Sequence, residues 1–477
     1  MFRFSGNVIA IMLCWASVGL AQVPYPFDLP TNNFSATLNI DTKQKTVPVH
    51  HMLFGLNCNW PEGLYGKTGY NHPSAQKLIR QLEPSSLRFP HGVWSNFYDW
   101  ESDGRRITDD YKTPYDSAVK GHPDLKYGFD GFNALHQELS FDVVFTWNVN
   151  YDSPEKGVRR LIDRRDKNFD VKWIELGNEP FWKTQRSEAI SDVDKYIVVA
   201  KQHTEVLKKA DPDILVSVPV HWRQAITNPW NLEIKKHRFY DAVTLHKHIR
   251  NKENRDGAAK TLAAGREMVE TGEALRKVFP GRPIWVTEWS VGCGENAISI
   301  LGMADVYLGM VERPDLFTIA DYFQINASHA LINYDKKTQT HTRTSYGAAY
   351  EIIRDIFEGS ERLVSHVEST VLGDKVKAVS ADAVFKNGRV TVFAINKTTK
   401  AVPLHIFVDG ASYTKLLKHQ AFSFSNLNEL RTFRMEENVL SEVSTVSGTP
   451  EGVLLLPPLS LNRFDTSSLH MSGQQNP

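Results

Sequence analysis

The sequence predicts a (β/α)8 barrel followed by an all-β sandwich. Between His51 and about Gly359, short apolar runs rich in β-branched and aromatic residues alternate with longer amphipathic runs. Beyond Gly359 the long amphipathic runs stop and only strand-like runs remain. At 477 residues the chain is too long for one compact core, so one large and one small domain are expected.

Eight strand–helix units are expected in the first part of the chain. The predicted strands are Met52–Leu56, Ser86–Phe89, Asp142–Phe145, Trp173–Leu176, Ile214–Val218, Ala242–Leu245, Ile284–Thr287 and Tyr322–Ile325. The clearest helical runs between them are Asp192–Ala210, Gly257–Phe279 and Ser345–Phe357, with Asp192 and Ser345 as the expected N-caps. Strict alternation predicts a parallel sheet, and eight units close a barrel. A doubly wound open sheet is the alternative, but no Gly-rich phosphate loop follows the first strand.

The strands expected in the sandwich share alternating or β-branched character, and they are Val376–Phe385, Arg389–Asn396, Val402–Val408, Ala421–Phe424 and Gly452–Leu456. The segment Ser35–Asp41 also alternates, and we expect it to pair with the sandwich. The expected domain ranges are therefore residues 22–50 for an N-terminal strand segment, 51–358 for the barrel and 359–465 for the sandwich, followed by a polar, disordered tail over residues 466–477.

The first 21 residues are typical of a signal peptide, since Arg3 precedes an apolar run and Gly19–Ala21 resembles a cleavage site. We therefore expect a secreted or periplasmic protein; a membrane anchor is the alternative for this run, and no later segment is long enough to span a bilayer. Cleavage would leave Cys58 and Cys293, either as a disulfide or as two unpaired thiols. Lys plus Arg equals Asp plus Glu at 55 each, so the charge does not favour nucleic acid. No residue cluster has metal spacing, and no cofactor is expected.

Polar and aromatic side chains follow every predicted strand, at the barrel face where chemistry is found in this architecture. The candidates at these strand ends are Asn57, Arg88, His91, Trp94, Trp147, Asn178, Glu179, Trp222, His246, His248, Glu288 and Trp289. Neutral hydrogen-bonding groups mixed with indoles suit a ligand that has many hydroxyls and flat apolar faces, which describes a sugar. Loops are polar in any protein, which accounts for some of the asparagines but poorly for the repeated tryptophans.

Two carboxylates fit the demands of glycoside hydrolysis, which needs one acid to protonate the leaving oxygen and a second carboxylate across the anomeric carbon. Glu179 follows the fourth predicted strand in Trp173–Pro180, and Glu288 follows the seventh in Ile284–Trp289. These strands face each other across a barrel, so the two side chains can converge. The sequence therefore predicts Glu179 as the acid/base and Glu288 as the nucleophile of a retaining hydrolase, and Glu175 as a structural residue.

These segments resemble clan A of the glycoside hydrolases, and most closely its family 51 α-L-arabinofuranosidases, with families 39 and 79 more distant. Leu53–Gly55, Leu87–Pro90 and Leu455–Pro458 add to the likeness. The resemblance implies that Arg88 binds the nucleophile, that Asn178 binds the sugar 2-hydroxyl, that His246 lies near the nucleophile and that Trp289 walls the subsite. The chain departs from the family where His91 begins the stretch after Pro90 and where His248 replaces a common tyrosine.

Three hypotheses about function follow. The first is a hydrolase of a plant-type polysaccharide or oligosaccharide, such as an arabinofuranosidase or xylosidase. The second is a hydrolase of an anionic or algal polysaccharide, of the agarase or carrageenase type; cationic and imidazole groups near the rim, among them Arg223, Lys247 and Arg250, could meet sulfates or carboxylates, unless Lys247 and Arg250 only face solvent. The third is a carbohydrate-binding protein without catalytic activity. The sugar, the linkage, endo or exo action and the oligomeric state are not set by the sequence.

Overall fold

A computed structural model describes residues 23–30, 34–57, 69–105, 126–326, 328–413, 416–434, 437–443 and 453–466 of the chain. The expected signal peptide, the tail beyond Thr466 and Cys58 lie outside these residues. Thr466 itself ends the last strand instead of beginning the tail. Among the described residues, none of the helices combines the length and the apolar character needed to cross a bilayer.

Eight parallel strands close into a barrel, in the order expected from the alternation. They are β3 (Gly55–Asn57), β4 (Ser86–Phe89), β7 (Asp142–Trp147), β8 (Trp173–Leu176), β9 (Leu215–Val220), β10 (Ala242–Arg250), β11 (Ile284–Gly292) and β12 (Phe317–Tyr322). Short strands β1 (Ala36–Asp41) and β2 (Val47–Pro48) precede the barrel, and β5 (Tyr98–Asp99) pairs with β6 (Gly104–Arg105) after its second strand. The predicted (β/α)8 fold is therefore confirmed, and the open-sheet alternative is wrong.

Helices surround the barrel. They are α1 (Pro73–Leu82), α2 (Phe129–Leu139), α3 (Pro154–Asp166), α4 (Val193–Ala210), α5 (Pro229–Ile234), α6 (Arg255–Leu262), α7 (Ala264–Val278), α8 (Ala297–Glu312) and α9 (Ser345–Phe357). Within the part of the chain that the structure describes, four short 3₁₀ helices lie in the connections: His51–Phe54, Gly92–Phe97, Lys183–Gln185 and Glu188–Ile190. The helix predicted over Gly257–Phe279 is two helices that meet at Ala263. Asp192 caps α4 as expected, but Thr344 rather than Ser345 caps α9, because its hydroxyl accepts from two backbone amides.

Two barrel strands, the first and the eighth, lie at positions displaced from the prediction. The first begins only at Gly55, because His51–Phe54 form a helical turn that packs its apolar side chains into the core. The eighth is Phe317–Tyr322 instead of Tyr322–Ile325. The sequence pattern does not indicate this strand, because it contains Asp321 and aspartate is rare in buried strands. Asp321 points into the barrel interior and accepts a hydrogen bond from Ser86 Oγ at 2.7 Å.

The strands β10 and β11 are each nine residues long and extend beyond the ends predicted at Leu245 and Thr287. They are paired in parallel from Val243–Ile284 to Arg250–Gly292, with one register shift between Thr244 and His246. His246, His248 and Glu288 therefore lie within paired strands and not in loops, so their backbone is held by the sheet.

Beyond the barrel, the remaining strands form two main sheets packed face to face, a small three-stranded sheet and a two-stranded sheet. They are β13 (Ile332–Asp335), β14 (Thr340–Thr344), β15 (Glu361–Arg362), β16 (Val364–Ser369), β17 (Val371–Leu372), β18 (Val376–Lys377), β19 (Val379–Lys386), β20 (Arg389–Asn396), β21 (Val402–Val408), β22 (Ala411–Ser412), β23 (Leu416–Ser423), β24 (Thr432–Phe433), β25 (Ser441–Glu442), β26 (Val453–Leu456) and β27 (Ser460–Thr466). One sheet contains β16-β1-β21-β22, with β26 on β21, and the other runs β2-β15-β19-β20-β27-β23-β25. Their inner faces share one buried apolar cluster, so the predicted sandwich is confirmed. Strand β1 pairs with β16 and β21.

Candidate active site

Two carboxylates approach one imidazole at the carboxyl ends of the barrel strands. His246 Nδ1 lies 3.4 Å from Glu179 Oε1 and 3.9 Å from Glu288 Oε2. These two carboxylate oxygens are therefore no further apart than the sum of the two distances. The side chains of Glu179 and Glu288 are 20% and 11% exposed. Both reach solvent from a largely enclosed position, and neither points into bulk water.

Glu179 stands on a tight turn after β8. Gly177 has φ +84°, where a Cβ would lie 2.8 Å from a Val149 methyl group, and Glu179 itself has φ +46°. Left-handed backbone of this kind is uncommon for a glutamate and is found where surrounding contacts hold it. Here Asn96 stabilises the turn through two hydrogen bonds to the backbone of Asn178: its Oδ1 accepts from Asn178 N, and its Nδ2 donates to Asn178 O.

Arg88 is a buried hub that joins the two strands carrying the carboxylates. Its Nε and Nη2 donate to both oxygens of Glu175 at 2.9 and 2.8 Å, and its Nη1 donates to Glu288 Oε2 at 2.9 Å. Nη2 also donates to Asn178 Oδ1 at 2.8 Å. Arg88 has no exposed surface, so it orients the carboxylates and cannot itself touch a ligand. Glu175 is part of the site, although its mid-strand position in the sequence indicated only a structural residue.

The charges around Glu288 favour its ionised form. Burial alone would raise the pKa of the Glu288 carboxyl, but the hydrogen bond from His248 and the charges of His246 and Arg88 outweigh burial and hold that pKa well below its ordinary value. His248 Nε2 lies 2.8 Å from Glu288 Oε1. A carboxylate that stays ionised and has little freedom to move suits a nucleophile.

His246 can keep a proton next to Glu179. Burial would lower the pKa of His246, but the Glu175 carboxylate raises it to about 9. His246 Nε2 lies 3.1 Å from both Glu175 Oε1 and Thr287 Oγ1, which leaves Nδ1 facing Glu179. One proton can therefore reside on the ring or on the carboxyl, as an acid/base that must give up and regain a proton requires.

Gln185 is a site residue that the sequence did not single out. Its Nε2 donates to Glu179 Oε2 at 2.7 Å, and its Oε1 accepts from Asn96 and Asn178 at 2.9 Å each. It lies in the 3₁₀ turn Lys183–Gln185, six residues after Glu179. Nothing in the local pattern distinguishes it from other loop glutamines, because its role arises only when this turn folds back over the barrel.

We expect Gln185→Ala to lower kcat about tenfold on a glycoside substrate and to leave the fold intact, because Glu179 loses a fixed donor and Asn178 loses an acceptor. Steady-state kinetics with a thermal melt would measure both effects. Gln202→Ala, at an exposed position on α4, is the matched control. Equal kcat values for the two variants would contradict a role for Gln185 in holding Glu179.

Two predicted sugar-binding tryptophans are core residues, and those predictions are wrong. Trp289 is fully buried and packs edge-on against Tyr307 and Tyr322, with ring centroids at 4.8 and 5.1 Å. Trp147 is also fully buried, with the guanidinium of Arg160 4.3 Å above its ring. Both side chains point outward from the barrel toward the helices, because neighbouring residues of a strand face opposite sides.

Since Trp289 fills the core, we expect Trp289→Ala to lower the free energy of unfolding by about 3–5 kcal/mol. Urea unfolding would measure the change, and Trp222→Ala, at a half-buried position, is the control with a smaller expected loss. A Trp289 variant of unchanged stability but weakened sugar binding would restore the subsite role.

Asn57 and His91 also differ from the predictions. The two protons of Asn57 Nδ2 go to the carbonyl oxygens of Thr287 and Asp321, at 2.8 and 3.0 Å, and its Oδ1 accepts from Arg88. Asn57 therefore links neighbouring barrel strands through hydrogen bonds instead of binding substrate. His91 is buried, and burial lowers its pKa to about 3, so it is neutral and offers no positive charge to an anion.

The remaining predicted residues lie at the rim. Trp94 is half-buried within Gly92–Phe97, the turn that also carries Asn96. Lys247 does not face solvent: it is buried, lies 2.6 Å from Glu267 and places its Nζ 4.0 Å from the ring centre of Trp222. The guanidinium carbon of Arg223 also lies 4.9 Å from the ring centre of Trp222, so two cationic side chains of the protein already contact this ring.

The described residues contain no group of three or more His, Cys, Asp or Glu side chains arranged to hold a metal ion. The site therefore consists of carboxylates, imidazoles and amides arranged around Arg88. Such a set can transfer protons and form a covalent bond to an electrophilic carbon.

The fold resembles those of known glycoside hydrolases. A family 51 arabinofuranosidase from Xanthomonas axonopodis pv. citri superposes with a TM-score of 0.72 at 15% identity, over 91% of this chain and 100% of the other. An α-L-arabinofuranosidase from Thermotoga maritima gives 0.71 at 17% identity with the same coverage. The predicted resemblance to the family 51 group is confirmed at the level of the fold.

A family 44 xyloglucanase from Paenibacillus polymyxa superposes less closely, with a TM-score of 0.62 at 13% identity over 91% of this chain and 99% of the other. No protein-family model matches the sequence, and no curated protein does. At these identities the similarity concerns the fold, and the chemistry of this chain must be inferred from its own residues.

Proposed function

We propose that this protein is a retaining glycoside hydrolase that acts on a polysaccharide or oligosaccharide. The observation that carries the proposal is the convergence of Glu179 and Glu288 on His246 Nδ1, at 3.4 and 3.9 Å. Retaining enzymes hold their carboxyl groups about 5–5.5 Å apart, and inverting enzymes about 6.5–9.5 Å. The sum of the two distances to His246 Nδ1 is an upper bound on the separation of these oxygens, and it admits the closer spacing. The solved structures of the same fold, arabinofuranosidases and a xyloglucanase by name, support a glycosidic substrate.

The proposed mechanism is a double displacement. Protonated Glu179 donates to the glycosidic oxygen while ionised Glu288 attacks the anomeric carbon, which forms a glycosyl–enzyme ester and releases the leaving group. Glu179, now ionised, then takes a proton from water as this water attacks the anomeric carbon, which frees Glu288 and returns the proton to Glu179. Asn178, with its Oδ1 held by Arg88, is placed to donate to a hydroxyl of the sugar.

The anomeric form of the first product tests this mechanism. We expect proton NMR of a reaction in progress to show the configuration of the substrate, because two displacements at one carbon restore it. A panel of aryl glycosides with plant and algal polysaccharides identifies the sugar. An inverted first product would refute the double displacement, and binding without hydrolysis across the panel would favour a carbohydrate-binding protein.

A second candidate is a hydrolase of an anionic polysaccharide, for which the rim provides a specific observation. Arg223 and Arg250 are exposed, and neither forms an ion pair with a carboxylate among the described residues. Arg223 stacks over Trp182 and Trp222 at 5.7 and 4.9 Å, which leaves its guanidinium edge open. Faster hydrolysis of sulfated or uronic substrates in the panel would favour this candidate. We also propose export from the cytoplasm, on the basis of residues 1–21.

A further inference from the structure

We propose that Ser290 and Arg250 hold His248 as a neutral imidazole with its proton on Nε2, so that His248 supports Glu288 as an uncharged donor. This inference rests on the proposed function for the role of Glu288 as nucleophile. The assignment of the proton rests on hydrogen-bond geometry alone. His248 and Arg250 lie on β10, Ser290 lies on β11, and the two strands are paired at these residues.

Three contacts run in series from the rim to the nucleophile. Arg250 Nε donates to Ser290 Oγ at 3.1 Å, Ser290 Oγ lies 2.8 Å from His248 Nδ1, and His248 Nε2 lies 2.8 Å from Glu288 Oε1. The strand register places His248 opposite Ser290 and Arg250 opposite Gly292. The series is therefore built on sheet backbone throughout, and not on a loop.

The direction of each hydrogen bond follows from what each group can do. Arginine can only donate, so Ser290 Oγ accepts from Arg250. Ser290 is fully buried, and among the described residues His248 Nδ1 is the acceptor in reach of its hydroxyl proton. Nδ1 must then carry a lone pair. The ring proton is left on Nε2, where it points at the Glu288 carboxylate.

The other protonation states each leave a conflict. A proton on Nδ1 alone would turn an Nε2 lone pair toward the Glu288 carboxylate, so two acceptors would face each other. A doubly protonated ring would satisfy Glu288 but would leave the buried Ser290 hydroxyl proton without an acceptor. The neutral form with Nε2–H satisfies all three groups.

An uncharged donor suits the reaction. When Glu288 forms the ester it loses its negative charge, and an imidazolium beside it would lose a counter-ion at that moment. A neutral Nε2–H stabilises the carboxylate less strongly, so less interaction is lost as the carbon–oxygen bond forms. Arg88 already provides the fixed positive charge at Glu288 Oε2.

Charged and titratable groups surround His248 on every side. Its own strand contributes His246 and Arg250, and β11 contributes Glu288. Burial and the charge of Arg250 lower the pKa of His329, which follows β12, while Glu295 opposes them. The Phe323 ring packs edge-on at 5.3 Å, and His91 is held neutral by burial. Glu288 thus selects Nε2 as the protonated nitrogen, and Ser290 is the neighbour that opposes a second proton on Nδ1.

The test is a long-range ¹H–¹⁵N correlation spectrum of the full chain labelled with ¹⁵N-histidine, with His248 identified by the signals missing from His248→Gln. At neutral pH we expect one protonated nitrogen, Nε2, and one unprotonated nitrogen, Nδ1. Ser290→Ala should lose this pattern, and Ser290→Thr, which keeps a hydroxyl, should retain it. A protonated Nδ1 in the wild-type chain, or an unchanged pattern in Ser290→Ala, would overturn the assignment.

The pH profile of kcat/KM provides the catalytic readout. Without the hydroxyl, Nδ1 of His248 loses its hydrogen-bond donor, so we expect the acidic limb of Ser290→Ala to move up by about one pH unit. Coincident limbs for Ser290→Ala and Ser290→Thr would contradict the positioning role. A chain with the expected tautomer but no glycosidase activity would refute the proposed function and leave the tautomer standing.

Discussion

Glu288→Ala is expected to lower kcat by roughly 10⁴–10⁶-fold, since a double displacement has no route without its nucleophile. The loss should be chemical and not structural. Arg88 keeps its bidentate pair with Glu175 when Glu288 is removed, so no buried charge is left without a partner. Turnover of an aryl glycoside by purified variants measures the effect, and far-ultraviolet circular dichroism confirms the fold.

Glu288→Gln separates binding from chemistry. The amide keeps the shape of the side chain and can still accept from His248, so we expect sugar binding to persist by calorimetry while turnover is lost. Glu270→Ala, an exposed glutamate on α7, controls for a general effect of removing a carboxylate. Normal turnover by Glu288→Ala would remove this residue from the mechanism.

Glu179→Ala is expected to lower kcat/KM by about 10²–10⁴-fold on a natural glycoside, whose leaving group needs a proton. A nitrophenyl leaving group departs without protonation, so the first step should be much less affected and the glycosyl–enzyme should accumulate as a burst. Rapid-mixing measurement of nitrophenol release from the aryl glycoside, together with sugar release from the natural glycoside, tests this directly.

The same variant tests which carboxylate has which role. Azide, a nucleophile that needs no general base, should restore turnover in Glu179→Ala and produce a glycosyl azide of retained configuration. Azide should not restore Glu288→Ala in this way. Equal losses on activated and natural substrates would assign Glu179 a role other than proton transfer.

The alternation of strand-like and helical runs was enough to predict the barrel, and the residues that follow the fourth and seventh strands were enough to place both glutamates at its carboxyl face. What could not be predicted is which way a side chain points beyond the strand end. The strands β10 and β11 continue to Arg250 and Gly292, but their register shifts just before Glu288, and this irregularity places Glu288 inside the barrel and Trp289 in the core. The sequence analysis treated the residues after Leu245 and Thr287 as loops, so it could not assign the side of the strand on which each side chain lies.

Partners that meet only through tertiary folding were missed for a related reason. Glu175 joins the site through Arg88, and Gln185 joins through a turn that folds back over the mouth. Neither has a neighbour in the sequence that indicates its role. Asp321 misled the placement of the eighth strand because aspartate is rare in buried strands. Burial raises its pKa to about 8, so it is a largely neutral group inside the barrel.

The two glutamates rest on backbone of different kinds. Glu288 lies on a ladder shared by two nine-residue strands, and Glu179 stands on a turn held by side-chain amides. Amide protons near Glu288 should therefore exchange with solvent far more slowly than those of residues 177–185. Natural or engineered changes in leaving-group preference can then accumulate in that turn, while the half of the site that forms the covalent bond is preserved.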